Sequence, residues 1–381
     1  MNVASIMFAL LRFGIDGTTY CGEEITAETL PALYKLSKSH DLAHLVAHAL
    51  DKLGALPEGS PARKAFLQER NMAVFRYEQI QYEYQHICSV FERENIEYIP
   101  LKGSVMRTYY PEPWMRTSCD IDVLVKEEEL NRAVKALEQE NYTVDGTKEY
   151  HDISLYSEGG VHLELHHNIC ETMDTIDKLL LRVWEFSVPV GDTSKRLQSS
   201  DYFVFHNVAH LYYHFVKGGC GVRTLLDLWI LKNRVGYDEK QLETWCKDCS
   251  ILTFYNAVLR LTQVWFAGAE SDELTDEMSA YILGAGTYGS QANSAAAAVA
   301  KKGSRFKVML SYIFVPRKVL QHSYPVLKKH GWLTFFCNIH RCFKRLFQGK
   351  GKRAAQRLKT TGAQSNERVE KMRAMFDKLD I

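Results

Sequence analysis

No run of about 18 consecutive apolar residues occurs in this chain, so no membrane-spanning helix is expected. The opening residues, MNVASIMFALLRFGID, lack a basic leader and a small-residue cleavage site. Export is therefore not expected, and the expected location is the cytoplasm. A net charge of +1 over 381 residues gives no global sign of a nucleic-acid partner. The nine cysteines are scattered and odd in number, which argues against a disulfide framework. Cys246 and Cys249 form a CxxC without a second pair, so buried thiols are favoured over zinc or redox chemistry. What remains is ordinary for a folded globular protein: 46% hydrophobic residues and enough length for roughly two or three domains.

The informative stretch runs from Tyr98 to Val125. An apolar run over 96–101 ends in Lys102-Gly103-Ser104, and a second, Ile121 to Val125, is entered through Asp120 and contains Asp122. The pattern predicts strand, tight turn, helix, loop, strand. Side chains of a strand alternate between faces, so Asp120 and Asp122 share one face while Ile121 and Val123 point into a core. Two adjacent carboxylates repel by about a few kcal/mol at an effective dielectric near 20, which calls for a proton or a cation. Mg²⁺ suits such a site, because it takes oxygen ligands from one or two carboxylates plus substrate phosphates. Gly103 permits close backbone approach to a ligand, and the helix expected after it offers backbone N–H groups to a phosphate. Lys102 and Arg116 would add positive charge.

Lys102-Gly103-Ser104, the segment Tyr-Tyr-Pro-x-Pro-x-x-Arg from Tyr109 to Arg116, and Asp120-Ile121-Asp122-Val123-Leu124-Val125 together resemble the nucleotidyltransferase superfamily of DNA polymerase β type. Within it they are similar to a bacterial group of uncharacterised nucleotidyltransferases. The resemblance implies that the Gly-Ser turn holds an NTP triphosphate and that the Asp-x-Asp pair holds Mg²⁺, as one or two ions. It also implies a third carboxylate on a neighbouring strand. Glu164 is the best match, in a strictly alternating stretch that places His162, Glu164 and His166 on one face. The spacing between Gly-Ser and Asp-x-Asp is longer than in many members, and the extra residues read as a loop carrying Pro111, Pro113 and Arg116.

The expected fold class is α+β, a small mixed sheet flanked by N-terminal and C-terminal helical regions. Four regions are expected: helical 1–94, the catalytic core 95–190, helices closing the cleft over 191–300, and a basic helical region 301–381. A long helix from about Pro61 to Asn95 carries Phe66, Phe75, Tyr77, Tyr82 and Tyr84, which are expected to pack on the following domain. Ser157-Glu158-Gly159-Gly160 predicts a hairpin between strands over 152–156 and 161–166. Residues 183–190 are read as a further edge strand.

His206, His210 and His214 fall four apart on one helical face. No carboxylate or cysteine lies beside them at convincing ligand spacing, so they are read as packed imidazoles with polar tips toward the cleft. The following Arg-x-x-x-Asp helix also resembles the group. Arg223 and Asp227 are four apart and are expected to pair with each other; the alternative gives Asp227 the proton of the acceptor hydroxyl.

Residues 284–300 are small and polar and are read as a loop or lid before a helix. From Lys301 to Thr360 there are sixteen Lys and Arg and no Asp or Glu. Within that span Trp332, Phe335, Phe336, Ile339, Phe343, Leu346 and Phe347 share a helical stripe, with Arg341, Lys344 and Arg345 beside it. Such a helix either docks on the protein's own core or lies on an anionic membrane surface, which would make the protein peripheral at the inner membrane surface. Repeated stacking motifs of an RNA-binding fold are absent, so the nucleic-acid signal is not strong. Residues 348–365 are read as a basic linker and 366–381 as a final helix. The leading expectation is an Mg²⁺-dependent transfer of a nucleoside monophosphate from an NTP to an acceptor the sequence does not identify, releasing pyrophosphate. The alternative is an inactive scaffold that keeps the fold.

Overall fold

The computed structural model describes residues 2–145, 151–171, 173–287, 289–347 and 351–381, without the side chains at 174, 318, 322, 345–347 and 351–354. It forms two compact units, one from residues 1–212 with 221–275 and the other from 213–220 with 276–381. The fold class is α+β, as expected.

The first unit opens with four helices, α1 (Val3–Asp16), α2 (Leu30–Ser39), α3 (Ala43–Lys52) and α4 (Pro61–Arg93). Their ends follow local chemistry. The Asn2 side chain accepts from Ala4 and Ser5 N–H at the start of α1, and Gly17 ends it at φ +65°. Ser60 caps α4 by accepting from Arg63 N–H, with Pro61 in the first turn, where its missing donor costs nothing.

Next come β1 (Tyr98–Pro100), α5 (Lys102–Met106), β2 (Asp120–Val125), α6 (Leu130–Gln139), β3 (Thr143–Asp145), β4 (Asp152–Tyr156) and β5 (His162–His166). The five strands make one mixed sheet in the order β1-β2-β5-β4-β3. Only β2 and β5 run parallel; the other pairs are antiparallel. The hairpin joins β4 and β5 as its turn signal predicts, with Ser157 N–H donating to Val161 O at 3.0 Å. Alternation then sorts the side chains. Ile121, Val123, Val125, Leu163 and Leu165 face Ile87, Val90 and Phe91 of α4 and Leu130 and Leu137 of α6. Each fully buried side chain of this kind stabilises by about 1.5–3 kcal/mol, so this face is covered and the opposite face is left to polar residues.

Two expectations in this region need correction. Phe66 is buried and Tyr84 packs on the sheet cluster, but Phe75 and Tyr82 are exposed, because a 33-residue helix outruns the sheet that would cover it. The segment after α7 (Asp174–Leu180) touches the main sheet through a bridge of Lys195 to Tyr98 of β1 but adds no strand to it. Its short strands β6 (Ser187–Pro189) and β7 (Arg196–Gln198) pair with each other instead. The unit is completed by most of α8 (Ser200–Lys217), then α9 (Val222–Arg234), α10 (Glu239–Asp248) and α11 (Leu252–Thr262). Cys246 and Cys249 are buried, and burial pushes their thiols up to about 12 and about 11, unlike metal-binding thiolates.

The second unit contains most of α12 (Glu273–Leu283), then α13 (Gln291–Lys302), α14 (Arg305–Ile313), α15 (Arg317–Ser323), α16 (Thr334–Phe347), α17 (Gly351–Gly362) and α18 (Asn366–Lys378). Val369, Met372, Phe376 and Leu379 are buried along one side of the last helix, as its spacing predicts. Two readings fail here. The loop expected through residue 300 ends at Ser290, whose hydroxyl accepts from Asn293 N–H, and the run Ala295 to Ala298 propagates a helix. The expected linker contains α17, whose Gln356, Arg357, Leu358 and Lys359 are good helix formers; residues 348–350 lie outside those described. No described helix is long and apolar enough to cross a membrane.

Candidate active site

The polar face of the sheet carries the acids. In the parallel pair, Asp120 lies opposite His162, Asp122 opposite Glu164, and Leu124 opposite His166. Ligand-type atoms of Asp122, Glu164 and His166 all lie within 4.8 Å of one another, and so do those of Asp120, His162 and Glu164. Glu164 belongs to both groups. The two-residue period of each strand and their in-phase register produce this arrangement without any loop contributing.

The two aspartates differ in environment. Asp122 is buried, with Lys102 Nζ 3.3 Å and His166 Nε2 3.0 Å from its Oδ1. Burial alone would raise its carboxyl, but the Lys102 ammonium and the His166 hydrogen bond outweigh it and hold Asp122 well below the usual carboxylate range. At Asp120 the balance is reversed: burial, then Asp122 and Glu164, outweigh Lys102 and His162 and push it up to about 6. His166 sits between two acids, its Nε2 also 3.5 Å from Glu164 Oε2. Burial opposes its protonation, yet the bonds to Asp122 and Glu164 raise it overall. His162 is steadied by Ser154 Oγ at 3.1 Å and by stacking on Tyr156.

Lys102 occupies the first position of α5 with φ +40°, a left-handed conformation that a residue with a side chain adopts at a cost of about 1–3 kcal/mol. That backbone aims its ammonium at Asp122. Gly103 follows in a tight place: a Cβ there would lie 3.3 Å from Ser118 Cβ. Buried Arg107 closes this turn, donating from Nε to Gly103 O at 2.9 Å and from Nη2 to Ser118 Oγ at 2.7 Å. Ser104 N–H bonds back to Leu101 O at 3.2 Å. The helix expected after the turn is only five residues long.

The loop before β2 is held differently from the reading of the sequence. Arg116 takes an acid of its own: its Nε donates to both carboxylate oxygens of Asp227 on α9, at 2.8 and 3.0 Å. Tyr110 Oη adds a 2.7 Å bond to the same carboxylate, and burial raises that phenol far above its ordinary value. Arg223 does not pair with Asp227 either. It reaches Asp41 at 2.5 Å, and Thr117 Oγ1 donates to the same Asp41 oxygen at 2.8 Å. An i,i+4 pair suits an exposed helix surface, whereas both residues here face inward and take partners far along the chain. His44 Nε2–H adds a bond to Met115 O at 2.8 Å.

Two histidines of α8 complete the surroundings. His210 donates from Nδ1 to Glu171 Oε1 at 2.7 Å, a partner that sequence spacing gave no reason to choose. Burial and the nearby Lys102 charge pull this imidazole down to about 3, so it is neutral at ordinary pH. His206 accepts at Nδ1 from Gln198 Nε2 at 3.1 Å; burial, His210 and Lys102 pull it down to about 3 as well. Among the described residues, neither group able to hold one ion includes His206, His210 or His214.

A small mixed sheet with helices on one face and a cluster of three carboxylates on the other defines an α+β protein of the nucleotidyltransferase type. Residues 26–267 match the family model described as an uncharacterised nucleotidyltransferase, and the chain belongs to that family. Its activity is accordingly nucleotidyl transfer, a transfer of phosphorus-containing groups. No curated protein and no solved structure matches the chain.

Proposed function

We propose that this enzyme moves a nucleoside monophosphate from an NTP to an acceptor hydroxyl, with Mg²⁺ bound by Asp120, Asp122 and Glu164. The observation that carries the reading is the register of β2 on β5, which sets Asp122 across from Glu164 and leaves Asp120 beside both. The donor set fits a hard cation: three carboxylates converge, and the carboxyl of Asp120 is raised by burial and then by the charges of Asp122 and Glu164. A bound Mg²⁺ would supply Lewis acidity toward the α-phosphate and draw the acceptor oxygen toward it.

The protein's own residues set up the displacement. The acceptor hydroxyl loses its proton to solvent as its oxygen bonds to the α-phosphorus, the bond from that phosphorus to the oxygen bridging to the β-phosphate breaks, and pyrophosphate leaves. Gly103 and Ser104 form the turn against which the phosphates lie, and Lys102 meets the negative charge growing on the leaving group. Arg116 acts at one remove, through Asp227, by holding the loop that ends at β2. Asp227 has its oxygens engaged by Arg116 and Tyr110, so His210, fixed by Glu171, is the better candidate to hydrogen-bond the acceptor.

The test is transfer of label from α-³²P-labelled NTPs, one base at a time, with pyrophosphate release measured in parallel. Wild type should bind at least one NTP only when Mg²⁺ is present, and Asp122→Asn should lose turnover by at least a hundredfold while remaining folded. Undiminished turnover in Asp122→Asn would remove the assignment.

A further inference from the structure

Helix α16 is turned the wrong way round for a helix that serves only its own core. Its polar side is the docked side. Asn338 is buried and makes a two-way bond with the backbone of Val315, at 2.8 Å from Val315 N–H and 3.1 Å to Val315 O. Arg341 Nη2 donates to the carbonyls of Tyr312 and Ile313, both at 2.9 Å, at the C-terminal end of α14. Cys337 joins Leu320 and Leu327 in a small buried cluster. The stripe of Trp332, Phe335, Phe336, Ile339 and Phe343 is left on the outside, with Trp332 71% and Phe336 58% exposed. Leu346 and Phe347, at the far end of that stripe, lie outside the described side chains.

A second stripe lies beside it. Phe306, Leu310, Ile313 and Phe314, in and just after α14, are also exposed, and the Phe314 ring stacks on Phe335 at 5.9 Å between centroids. Nine large apolar side chains, on two adjoining helices and the residues next to them, make a patch of the kind that marks an interaction site. They stand within the span that holds sixteen Lys and Arg and no Asp or Glu. A second copy would bring a second basic, acid-free span to the same place. The charge selects an anionic partner, and the protruding aromatic rings select one whose interior is apolar and deformable.

We propose that the α14–α16 face is a binding site for the surface of an anionic lipid bilayer, with the two stripes seated at the headgroup and acyl boundary. The flanking lysines and arginines meet the lipid phosphates. This inference is independent of the assignment of the nucleotide site.

Flotation of the full-length protein with vesicles tests it, using phosphatidylcholine alone and phosphatidylcholine with 30% phosphatidylglycerol. The comparison variant is Trp332→Ser/Phe336→Ser/Phe343→Ser, whose side chains are exposed and whose loss should leave the melting curve unchanged. Wild type should float with the anionic vesicles at least tenfold more strongly than with the neutral ones. The variant should lose most of that binding, and 0.5 M NaCl should weaken it for wild type. Failure of wild type to bind anionic vesicles would overturn the proposal. So would equal binding by the variant, or its loss through unfolding if the single variants Trp332→Ser and Phe343→Ser then bind as wild type does. Binding of wild type to a homopolymeric RNA, with no lipid binding, would assign the face to nucleic acid. A dimer in light scattering that the triple variant abolishes would assign it to self-association.

Discussion

Replacing Asp120 by Asn should make the metal-free protein more stable at alkaline pH, although it removes a residue assigned to the active site. In the folded chain this carboxyl titrates near 6, against an ordinary value of 3.8. Below pH ~4 both folded and unfolded chains hold the proton, and the group contributes no difference. Between about 4 and 6 the folded state keeps a proton that the unfolded chain has released, so rising pH costs stability. Above 6 the penalty is complete: about two pKa units at 1.36 kcal/mol each, or roughly 3 kcal/mol. Asn keeps the shape and carries no such charge, and its amide can donate toward Asp122 or Glu164. Thermal melts in EDTA should therefore place Asp120→Asn roughly 5–10 °C above wild type at pH 8 in the transition of the first unit, and level with it at pH 4. Adding Mg²⁺ at pH 8 should raise the wild-type transition and leave the variant nearly unmoved. A variant less stable than wild type at pH 8 in EDTA, or one that gains as much from Mg²⁺, would refute the account of an Asp120 carboxyl raised by burial and by its acidic neighbours.

Mg²⁺ affinity of wild type, followed by calorimetry, should weaken as pH falls through 6, by about tenfold per unit once Asp120 is protonated. Lys102→Met should tighten divalent binding without nucleotide, because the ammonium 3.3 Å from Asp122 no longer competes, and should weaken NTP binding at least tenfold. Equal effects of opposite sign would reverse that reading. Arg116→Leu strands the buried carboxylate of Asp227 and should cost about 3–5 kcal/mol in urea melts, whereas Arg116→Met with Asp227→Leu should recover much of the loss. His210→Gln should raise KM for the acceptor while leaving Mg²⁺-dependent NTP binding unchanged; a parallel loss of NTP affinity would move His210 out of the acceptor role.

Much of the fold was legible where a short period carries the information. The alternation in Asp120 to Val125 and in His162 to His166, with the turn at Ser157 to Gly160, is enough to build the acid-bearing face of the sheet. What the sequence concealed was long-range. The partners of Arg116, Arg223 and His210 are Asp227, Asp41 and Glu171, chosen by burial among residues that no local spacing connects. Amphipathicity showed that α16 has two faces, but not which face docks. That choice was made by Asn338 and Arg341 bonding to backbone groups around the end of α14. At α13 and α17 the small or basic composition that suggests a loop is made of residues that also favour helix.

The clamp of Arg116 and Tyr110 on Asp227 has a consequence for synthesis. The guanidinium and its carboxylate stand 111 positions apart, and at about 5–20 residues per second the ribosome delivers the second roughly 5–20 seconds after the first. During that interval the strand bearing the acids has been made while the loop leading into it lacks its anchor. The nascent chain thus carries its three carboxylates before the loop leading into β2 has its anchor, which arrives only when α9 emerges and brings Asp227 to Arg116 and Tyr110.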